Sequence, residues 1–490
     1  MEQDHIIEKI FVEITVNNKE KAFNIKDNIN SFLSIDVFPE IEKYINSIKH
    51  KLADQTLQIP RLELNLDVKK ISLNAELKDK IAQLFKEELA EITNTVEYSD
   101  QETESGSKAY LIDNQEKAIQ TFIYFLEKGN MPWWNSDKNG TSFLEPTVFE
   151  KIISVENFKK KFFSIFFKQN VQERIINQLS NEQIAQLCLL VLKNKELKIN
   201  LENEIIQYFS KLNHAERQII WQLVFKMLTQ HLDKSISDLR EYFLQLIVKT
   251  ESISNVFSGI KNNYNLKTVV KIFPFIKEDE VVEVIENNKE RLENKFENVK
   301  ISKEESLQSN EIIWEISSQN TEDLNQNDEL YLKNAGLILI HPFLKPLFEH
   351  CDLLHPKTQQ LTDPELCAHL LHYIATGNTN APEYDMIFEK FLCNIPMHQS
   401  INRHIKLSRK HKMQAKNVIE SVQHNWNPMK KSSVALLQNE FFQRPGKLVT
   451  DNDFTLTIER KTQDILLEKL NWGISFVKLP WKDRFIFVNW

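Results

Sequence analysis

The sequence predicts a mainly α-helical protein with a helical middle region, α+β units at both ends, and small antiparallel sheets near the N- and C-termini. Three observations predict this class. Apolar residues recur at helical spacing through most of the chain between about residues 145 and 297. Runs that alternate apolar and polar residues lie only near the termini. Glycine accounts for 8 of 490 residues, well below an average usage of about 7%, as is typical of helix-rich chains.

The domain organisation follows from length and from two polar stretches. A chain of 490 residues exceeds what one hydrophobic core holds, so we expect several domains. Stretches without periodicity mark linkers. We predict an N-terminal α+β unit, a helical region that opens with a linker at 98–108, a polar linker, and a C-terminal α+β unit. In that order, these segments are residues 1–97, 98–297, 298–329 and 330–490.

The N-terminal unit carries both kinds of periodicity. Alternation in residues 10–16 and 61–68 predicts two strands that pair in one small sheet. Helical spacing predicts helices over residues 23–33 and 40–52. Asn74 is placed to N-cap a third helix that ends near residue 92. We therefore expect helices covering a small sheet.

The middle region is predicted to be helical throughout. An amphipathic helix over residues 115–127 ends at Gly129 and Asn130, and an aromatic turn, Met131 to Trp134, follows. Short polar connections between later helices are typical of stacked helix pairs, and no repeat of fixed length is found. Representative helical stretches are residues 158–167, 181–192, 201–212, 217–228 and 239–248.

The C-terminal unit combines helices with strand-like runs. Pro342 opens a short helix to about His350, because proline fits the first helical turn. Further helices are predicted near residues 364–376 and 383–392. Turn-forming residues flank the strand-like runs. These runs are residues 454–459, 474–479 and 485–488.

Charge and cysteine usage exclude several classes of protein. The formal net charge is −8 and the pI is near 6.0, unlike the basic footprint of a nucleic-acid-binding protein. The four cysteines form no CxxC pair, which is typical of a reduced, cytosolic protein. The first nine residues lack the features of a signal peptide, and no apolar run approaches 18 residues. We expect a cytoplasmic chain with no membrane span and no nucleic-acid partner.

Motifs for catalysis or metal binding are not found in the sequence. There is no nucleophile elbow and no glycine-rich phosphate loop. One cluster of histidines and a cysteine lacks the spacing of a zinc site, and a histidine pair at i, i+3 lacks an HExxH context. We expect packing or surface roles for these residues, no cofactor and no enzymatic activity. The cluster is His341, His350, Cys351 and His355; the pair is His369 and His372.

The one basic cluster, residues 403–416, admits two interpretations. It is either a solvated helix face or an electrostatic contact for an acidic partner. The acidic balance of the whole chain favours the solvated face.

Five tryptophans bracket turns and strand ends. Their default interpretation is packing in the core or against a sheet. Aromatic residues also dominate the energetics of protein interfaces, and the sequence does not separate these cases. We treat them as candidate interaction residues: Trp133, Trp134, Trp472, Trp481 and Trp490.

Five stretches, in order along the chain, resemble the tape measure proteins of contractile injection systems, the phage-tail-like particles that bacteria assemble. Each is weak alone, and the ordered set is specific. Asn65–Asp67 departs from the family pattern, which places an aspartate before the leucine and a glycine after it. The stretches are PRLELNL (60–66), FLEKGNMPWW (125–134), YLKNAGLILIHPFL (331–344), LLHYIATG (370–377) and LLEKLNWGISFVKLPW (466–481).

The resemblance implies a protein that helps to set the length of, or to build, the inner tube and sheath on a baseplate. Its implied partners are tube, baseplate or hub proteins, with self-association a further option, and no catalytic residues are implied. As one helix, 490 residues would extend roughly 735 Å at about 1.5 Å per residue. The 14 prolines and the strand runs instead predict compact folding. Two mechanisms stay open: the protein unravels or stacks in several copies inside the tube, or it is a globular initiation, adaptor or chaperone factor that acts during assembly. The alternative is a helical scaffold or chaperone that is not incorporated into the particle.

Overall fold

A computed structural model of the chain describes residues 5–16, 18–48, 50, 55–66, 73–95, 109–135, 143–192, 199–233, 239–249, 264–287, 329–450 and 453–490. These residues confirm the predicted fold class, because helices dominate and a small sheet lies toward each terminus. The chain divides into two compact units. Unit 1 is Met1–Tyr124 with Pro132–Phe158, and unit 2 is Phe125–Met131 with Lys159–Trp490. The predicted domain boundaries stay a prediction, since both predicted linkers lie largely outside the described residues.

Three helices and a small apolar core organise the first part of unit 1. They are α1 (Lys19–Phe32), α2 (Phe38–Ile48) and α3 (Ala75–Thr95). A π-helical turn, Leu33–Val37, joins α1 to α2 and places Val37 in the core, where it is fully buried. Asn74 N-caps α3 as predicted: the backbone N–H of Leu77 donates to Asn74 Oδ1 at 3.1 Å.

The sheet of unit 1 uses different residues from those predicted. Strand β1 (Gln55–Gln58) pairs antiparallel with β2 (Tyr110–Asp113). The strands predicted at residues 10–16 and 61–68 are wrong where the structure describes them, because residues 10–16 and 61–66 belong to no strand; residues 67 and 68 lie outside the described part. Alternation reports an amphipathic segment, whereas a strand also needs a hydrogen-bonded partner beside it.

An aromatic cluster in unit 1 includes one phenylalanine from each of three helices. These helices are α4 (Asn114–Lys128), α5 (Pro146–Ser154) and α6 (Glu156–Phe166). The Phe122 ring lies 5.4, 5.7 and 6.1 Å, between centroids, from the rings of Phe143, Phe149 and Phe158. The edge-to-face geometry of the first two pairs is the favoured arrangement of aromatic rings.

The predicted helical middle is confirmed within unit 2. Trp221 stacks on Phe209 with ring centroids 4.5 Å apart, and its indole N–H donates to Asn181 Oδ1 at 3.0 Å. None of the helices that the structure describes is both long and apolar enough to cross a lipid bilayer. The helices are α7 (Gln169–Gln178), α8 (Asn181–Leu192), α9 (Asn203–Phe209), α10 (His214–Asp233), α11 (Leu239–Lys249), α12 (Tyr264–Ile272) and α13 (278–287).

The C-terminal part contains the predicted helices near residues 341–350 and 364–376 among five α-helices in the described residues. They are α14 (His341–His350), α15 (Pro364–Thr376), α16 (Ile387–Leu392), α17 (Arg409–Asn425) and α18 (Val434–Leu437). Asp363 caps α15 by accepting from the backbone N–H of Leu366 at 3.0 Å, and Gly377, at φ +74°, ends it. The helix predicted over residues 383–392 is divided into a 3-10 turn, Glu383–Asp385, and α16.

A five-stranded sheet closes unit 2. Its strands are β3 (Glu329–Leu332), β4 (Gly446–Val449), β5 (Phe454–Ile458), β6 (Phe476–Val477) and β7 (Ile486–Asn489), in the order β3-β4-β5-β7-β6. The three predicted strand runs each contain a strand, whereas β3 and β4 were not predicted. All pairings are antiparallel except β5 with β7, which is parallel. One face is buried in the core, and the other carries exposed side chains.

Candidate interaction site at the C-terminal sheet

Trp481 is a core residue of unit 2. Only 3% of it is exposed, and its ring lies 5.2 Å from that of Phe348. Its indole N–H donates to the backbone oxygen of Leu392 at 2.7 Å, at the end of α16. A buried indole with a partner for its N–H is the arrangement expected of a core tryptophan.

Two further tryptophans anchor the same C-terminal segment. The indole N–H of Trp472 donates to the Leu339 backbone oxygen at 3.0 Å, and that of Trp490 donates to Asp464 Oδ2 at 3.1 Å. Both side chains are partly buried. Residues 472–490 are therefore fixed to unit 2 at three points. The interaction role of these tryptophans stays a prediction.

The most exposed aromatic residues of this segment are phenylalanines that the sequence analysis missed. Phe476, Phe485 and Phe487 are 54%, 40% and 39% exposed. Phe476 stacks on Phe485 with centroids 4.3 Å apart, and Phe487 meets Phe476 edge-on at 5.2 Å. We call these three residues the phenylalanine cluster. Contiguous exposed aromatic surface is typical of protein–protein contact sites.

Strand pairing holds the phenylalanine cluster in place. Phe476 of β6 lies opposite Phe487 of β7, and Val477 lies opposite Ile486. Val477 and Ile486 are buried, and successive side chains point to opposite faces of a strand, so the phenylalanines face outward. The signal in the sequence was the FIFV run, in which both faces of one strand are apolar.

Basic side chains border the phenylalanine cluster. The Lys478 ammonium lies 5.0 Å from the Phe485 ring centroid and donates to the Asp483 backbone oxygen at 2.6 Å. The Arg484 side chain is 43% exposed and lies 3.9 Å from the Asp483 carboxylate. An aromatic patch with a cationic border suits a partner that carries apolar and acidic groups.

The predicted aromatic turn is present in the structure. The backbone N–H of Asn135 donates to the Pro132 oxygen at 3.0 Å and closes the turn. Trp133 is 36% exposed, and Trp134 is partly buried. Both rings are within reach of solvent, and their interaction role stays a prediction.

Two of the stretches that carry the family resemblance meet at Glu389. Asn334, from residues 331–344, donates through its amide to Glu389 Oε1 at 2.8 Å. His372, from residues 370–377, places Nδ1 at 2.9 Å from the same oxygen. All three side chains are buried. His372, for which the sequence predicted a packing or surface role, is thus held among buried polar groups.

The glycine of residues 125–134 lies against a buried charge cluster. Gly129 has φ +84°, and a Cβ there would lie 2.7 Å from Glu383 Oε1. Glu383 pairs with Arg174 at 3.1 Å and with Lys390 at 2.6 Å, and the three side chains are fully buried. Burial lowers the pKa of Lys390, and the Glu383 charge opposes this. We call Arg174, Glu383 and Lys390 the buried charge cluster.

The remaining titratable candidates make local contacts. His341 Nδ1 lies 3.1 Å from the Ile338 oxygen, His350 Nδ1 lies 2.6 Å from the Pro346 oxygen, and His355 accepts from the Thr358 N–H at 3.2 Å. Within the described part of the chain, no group of three or more His, Cys, Asp or Glu is arranged to hold a metal ion. Burial raises the pKa of Cys351 to about 11, so its thiol is protonated at neutral pH.

Lysines of the basic cluster pair with carboxylates of the protein's own surface. Lys410 lies 2.6 Å from Asp352, and Lys416 lies 3.5 Å from Glu420. Ser408 and His411 form a capping box at the start of α17. These contacts support the interpretation of residues 403–416 as a solvated face.

The structure is that of a helix-rich protein with a small sheet toward each terminus and a cluster of exposed phenylalanine side chains in unit 2. A family model described as contractile injection system tape measure protein matches residues 4–490. This chain belongs to that family, which supports a structural or assembly role. The searches of curated proteins and of solved structures found no match to this chain.

Proposed function

We propose that this protein builds a contractile injection particle by binding tube, baseplate or hub components through the phenylalanine cluster. Family membership across residues 4–490 supports the assembly role. The observation that carries the choice of surface is the contact between three exposed phenylalanine rings, of which Phe476 and Phe487 lie on paired strands and Phe485 directly precedes β7. Single exposed apolar side chains are common on protein surfaces, whereas contiguous ones mark binding sites.

We further propose that unit 2 acts in its folded form. The longest helix among the described residues is α3, with 21 residues, or about 32 Å at 1.5 Å per residue. Unravelling unit 2 into a ruler would open the buried charge cluster and a large apolar core. This favours a globular assembly component over an extended rod. The particle assembles in the cytoplasm under this proposal, and no reaction is assigned to the chain.

The test replaces the exposed rings and leaves the core intact. Deleting residues 472–490 would also remove the buried residues Val477, Trp481 and Ile486 and would unfold unit 2. Substituting all three phenylalanines by serine changes only the outer surface. Ile465, which is 67% exposed in the same unit, supplies the matched control Ile465→Ser.

Electron microscopy of particles from strains carrying these variants gives the result. We expect few particles, or particles of aberrant length, from the triple serine variant and normal particles from Ile465→Ser. Circular dichroism of the purified variants checks that both fold. Normal numbers of normal-length particles from a folded triple variant would contradict the proposed surface.

The second candidate function is a scaffold or chaperone that never enters the particle. The compact fold of the described residues is compatible with it. Mass spectrometry of purified particles decides between the two, since an incorporated component co-purifies in fixed ratio to the tube and baseplate proteins. A chaperone would be found in the assembling cells and not in the particles.

A further inference from the structure

A pocket of about 540 Å³ opens in unit 2 beside the turn that follows β6. Its apolar wall includes Phe391, Phe454 and Trp481, and its polar groups include Asn394 and Lys482. This volume lies within the range of about 300–1,000 Å³ typical of ligand sites. A mainly apolar lining with a small number of polar groups is also typical of such sites.

Lys482 is held rigidly in the pocket wall. The residue is 6% exposed, and its ammonium lies 3.9 Å from the Phe391 ring centroid and 5.0 Å from that of Phe454. It donates to Asn394 Oδ1 at 2.9 Å. Asn394 adopts φ +58° and donates in turn to the Trp481 backbone oxygen at 2.5 Å. This geometry aims a cation at a fixed position beside aromatic rings.

No carboxylate that the structure describes lies within ion-pairing distance of the Lys482 ammonium. Among the described residues, this ammonium donates one hydrogen bond, to the neutral amide of Asn394. Asp483 also lines the pocket, but its side chain is 84% exposed and its carboxylate lies 3.9 Å from Arg484 Nε, so its charge is paired outside the buried part of the lining. A buried cation without a counter-charge is costly, because it has lost its hydration and gained only weak partners. An incoming anion would relieve that cost.

We propose that this pocket binds the acidic side chain of an apolar peptide segment from a partner protein, with Lys482 pairing with the carboxylate. The aromatic rings accept the flanking apolar side chains. Charge complementarity decides the occupant: one buried cation calls for one anion, and the lining calls for apolar neighbours.

A side chain suits the buried Lys482 ammonium better than a chain terminus does. A glutamate or aspartate reaches a buried ammonium while its own main chain stays in water at the pocket mouth. A C-terminal carboxylate at the same depth would bury the last peptide N–H as well. Unpaired buried amides cost free energy.

The protonation of Lys482 supplies an independent readout. Burial lowers its pKa to about 8, with Cys393 and Asp483 acting in the opposite direction and Arg484 adding to the fall. The ammonium is therefore charged at pH 7 and loses its proton as the pH rises above 8. Binding of a carboxylate, which stays ionised throughout, should weaken over the same interval.

The probe is a pentapeptide, Ala-Leu-Glu-Leu-Ala, acetylated and amidated at its ends, titrated by calorimetry into the full-length protein. We expect saturable binding at pH 7 that weakens at least about tenfold when glutamine replaces the glutamate, and about tenfold between pH 7 and pH 9.5. A glutamine peptide with a free C-terminal carboxylate should bind no better than its amidated form. Equal binding of the glutamate and glutamine peptides, or no binding at millimolar concentration, would overturn the proposal.

Two lysine variants complete the design. Lys482→Met keeps the apolar stem and should lose the preference for glutamate over glutamine. Lys430→Met removes an exposed lysine of the same unit that belongs neither to the pocket lining nor to the border of the phenylalanine cluster, and should leave the preference unchanged. Only the identity of the partner as a particle component rests on the proposed function. The peptide assay uses isolated protein, so its failure is distinguishable from a failure in particle assembly.

Discussion

The buried charge cluster allows a quantitative prediction about the stability of unit 2. Glu383 accepts from Arg174 Nε through one carboxylate oxygen, at 3.1 Å, and from Lys390 Nζ through the other, at 2.6 Å. Backbone oxygens satisfy other donors of both cations, including those of Leu126, at 2.6 Å from Arg174, and Gln399, at 2.6 Å from Lys390. Glu383 is therefore the only acidic group that pairs with either cation among the described residues.

The substitution Glu383→Gln keeps the size of the side chain and removes its charge. The new amide accepts from one cation but turns an NH₂ donor toward the other. Breaking a buried ion pair by removing one partner costs about 3–5 kcal/mol. Deprotonation of Lys390 limits the stability lost in Glu383→Gln. Burial already lowers the pKa of Lys390, so this lysine loses its proton more readily once residue 383 is neutral.

The measurement is urea unfolding of the full chain, followed by tryptophan fluorescence. The control Glu127→Gln breaks the ion pair between Glu127 and Lys168, whose side chains are 28% and 54% exposed, respectively. Loss of this more exposed pair should cost less than about 1 kcal/mol. A triple variant, Arg174→Met with Glu383→Leu and Lys390→Met, should recover most of the stability lost in Glu383→Gln. Equal stabilities for Glu383→Gln and Glu127→Gln would refute this reasoning.

Three further predictions concern the core of unit 2. Gly336→Ala should lower the free energy of unfolding by more than about 3 kcal/mol, because the new Cβ would overlap the Phe441 backbone oxygen. The control Gly473→Ala, which places its Cβ in open space, should change the melting temperature little. Trp481→Phe should cost about 2–4 kcal/mol in urea unfolding, since it leaves the Leu392 oxygen without its donor; a loss under 1 kcal/mol would contradict the anchoring role. Burial lowers the pKa of His369 from 6.5 to about 4, so the unfolded chain binds the extra proton first and stability should fall by about 1–3 kcal/mol as the pH drops from 6.5 to 4. Melting temperatures across that range should show a smaller fall in His369→Gln.

Local signals predicted the helices of unit 2 well. The bounds of α15 follow from Asp363 before it and Gly377 after it, and both act within one turn of the helix. Strands were predicted less well. Residues 10–16 alternate as a strand does but pair with no strand in the part of the chain that the structure describes. The short β4 was missed because GKLV is too brief to show a period. The existence of a partner is a property of the folded chain.

The sequence singled out residues 472–490 but did not separate their buried aromatic side chains from their exposed ones. The segment from Trp472 to Trp490 is where the exposed aromatic surface lies, but its tryptophans point into unit 2 and its phenylalanines point outward. Which face of β7 is buried depends on what packs against the sheet, and a strand that is apolar on both sides does not reveal it. The pairing of Arg174 with Glu383 was likewise beyond sequence reasoning, because the two residues are 209 positions apart.

The claim that the phenylalanine cluster contacts the particle is tested most directly by photocrosslinking in assembling cells. A benzoylphenylalanine replaces Phe485, and a second strain carries it at the exposed control position Ile465. Mass spectrometry identifies the crosslinked proteins. We expect a crosslink from position 485 to a tube, baseplate or hub protein, and none of these from position 465. Crosslinks from position 485 only to proteins outside the particle, or none at all, would contradict it.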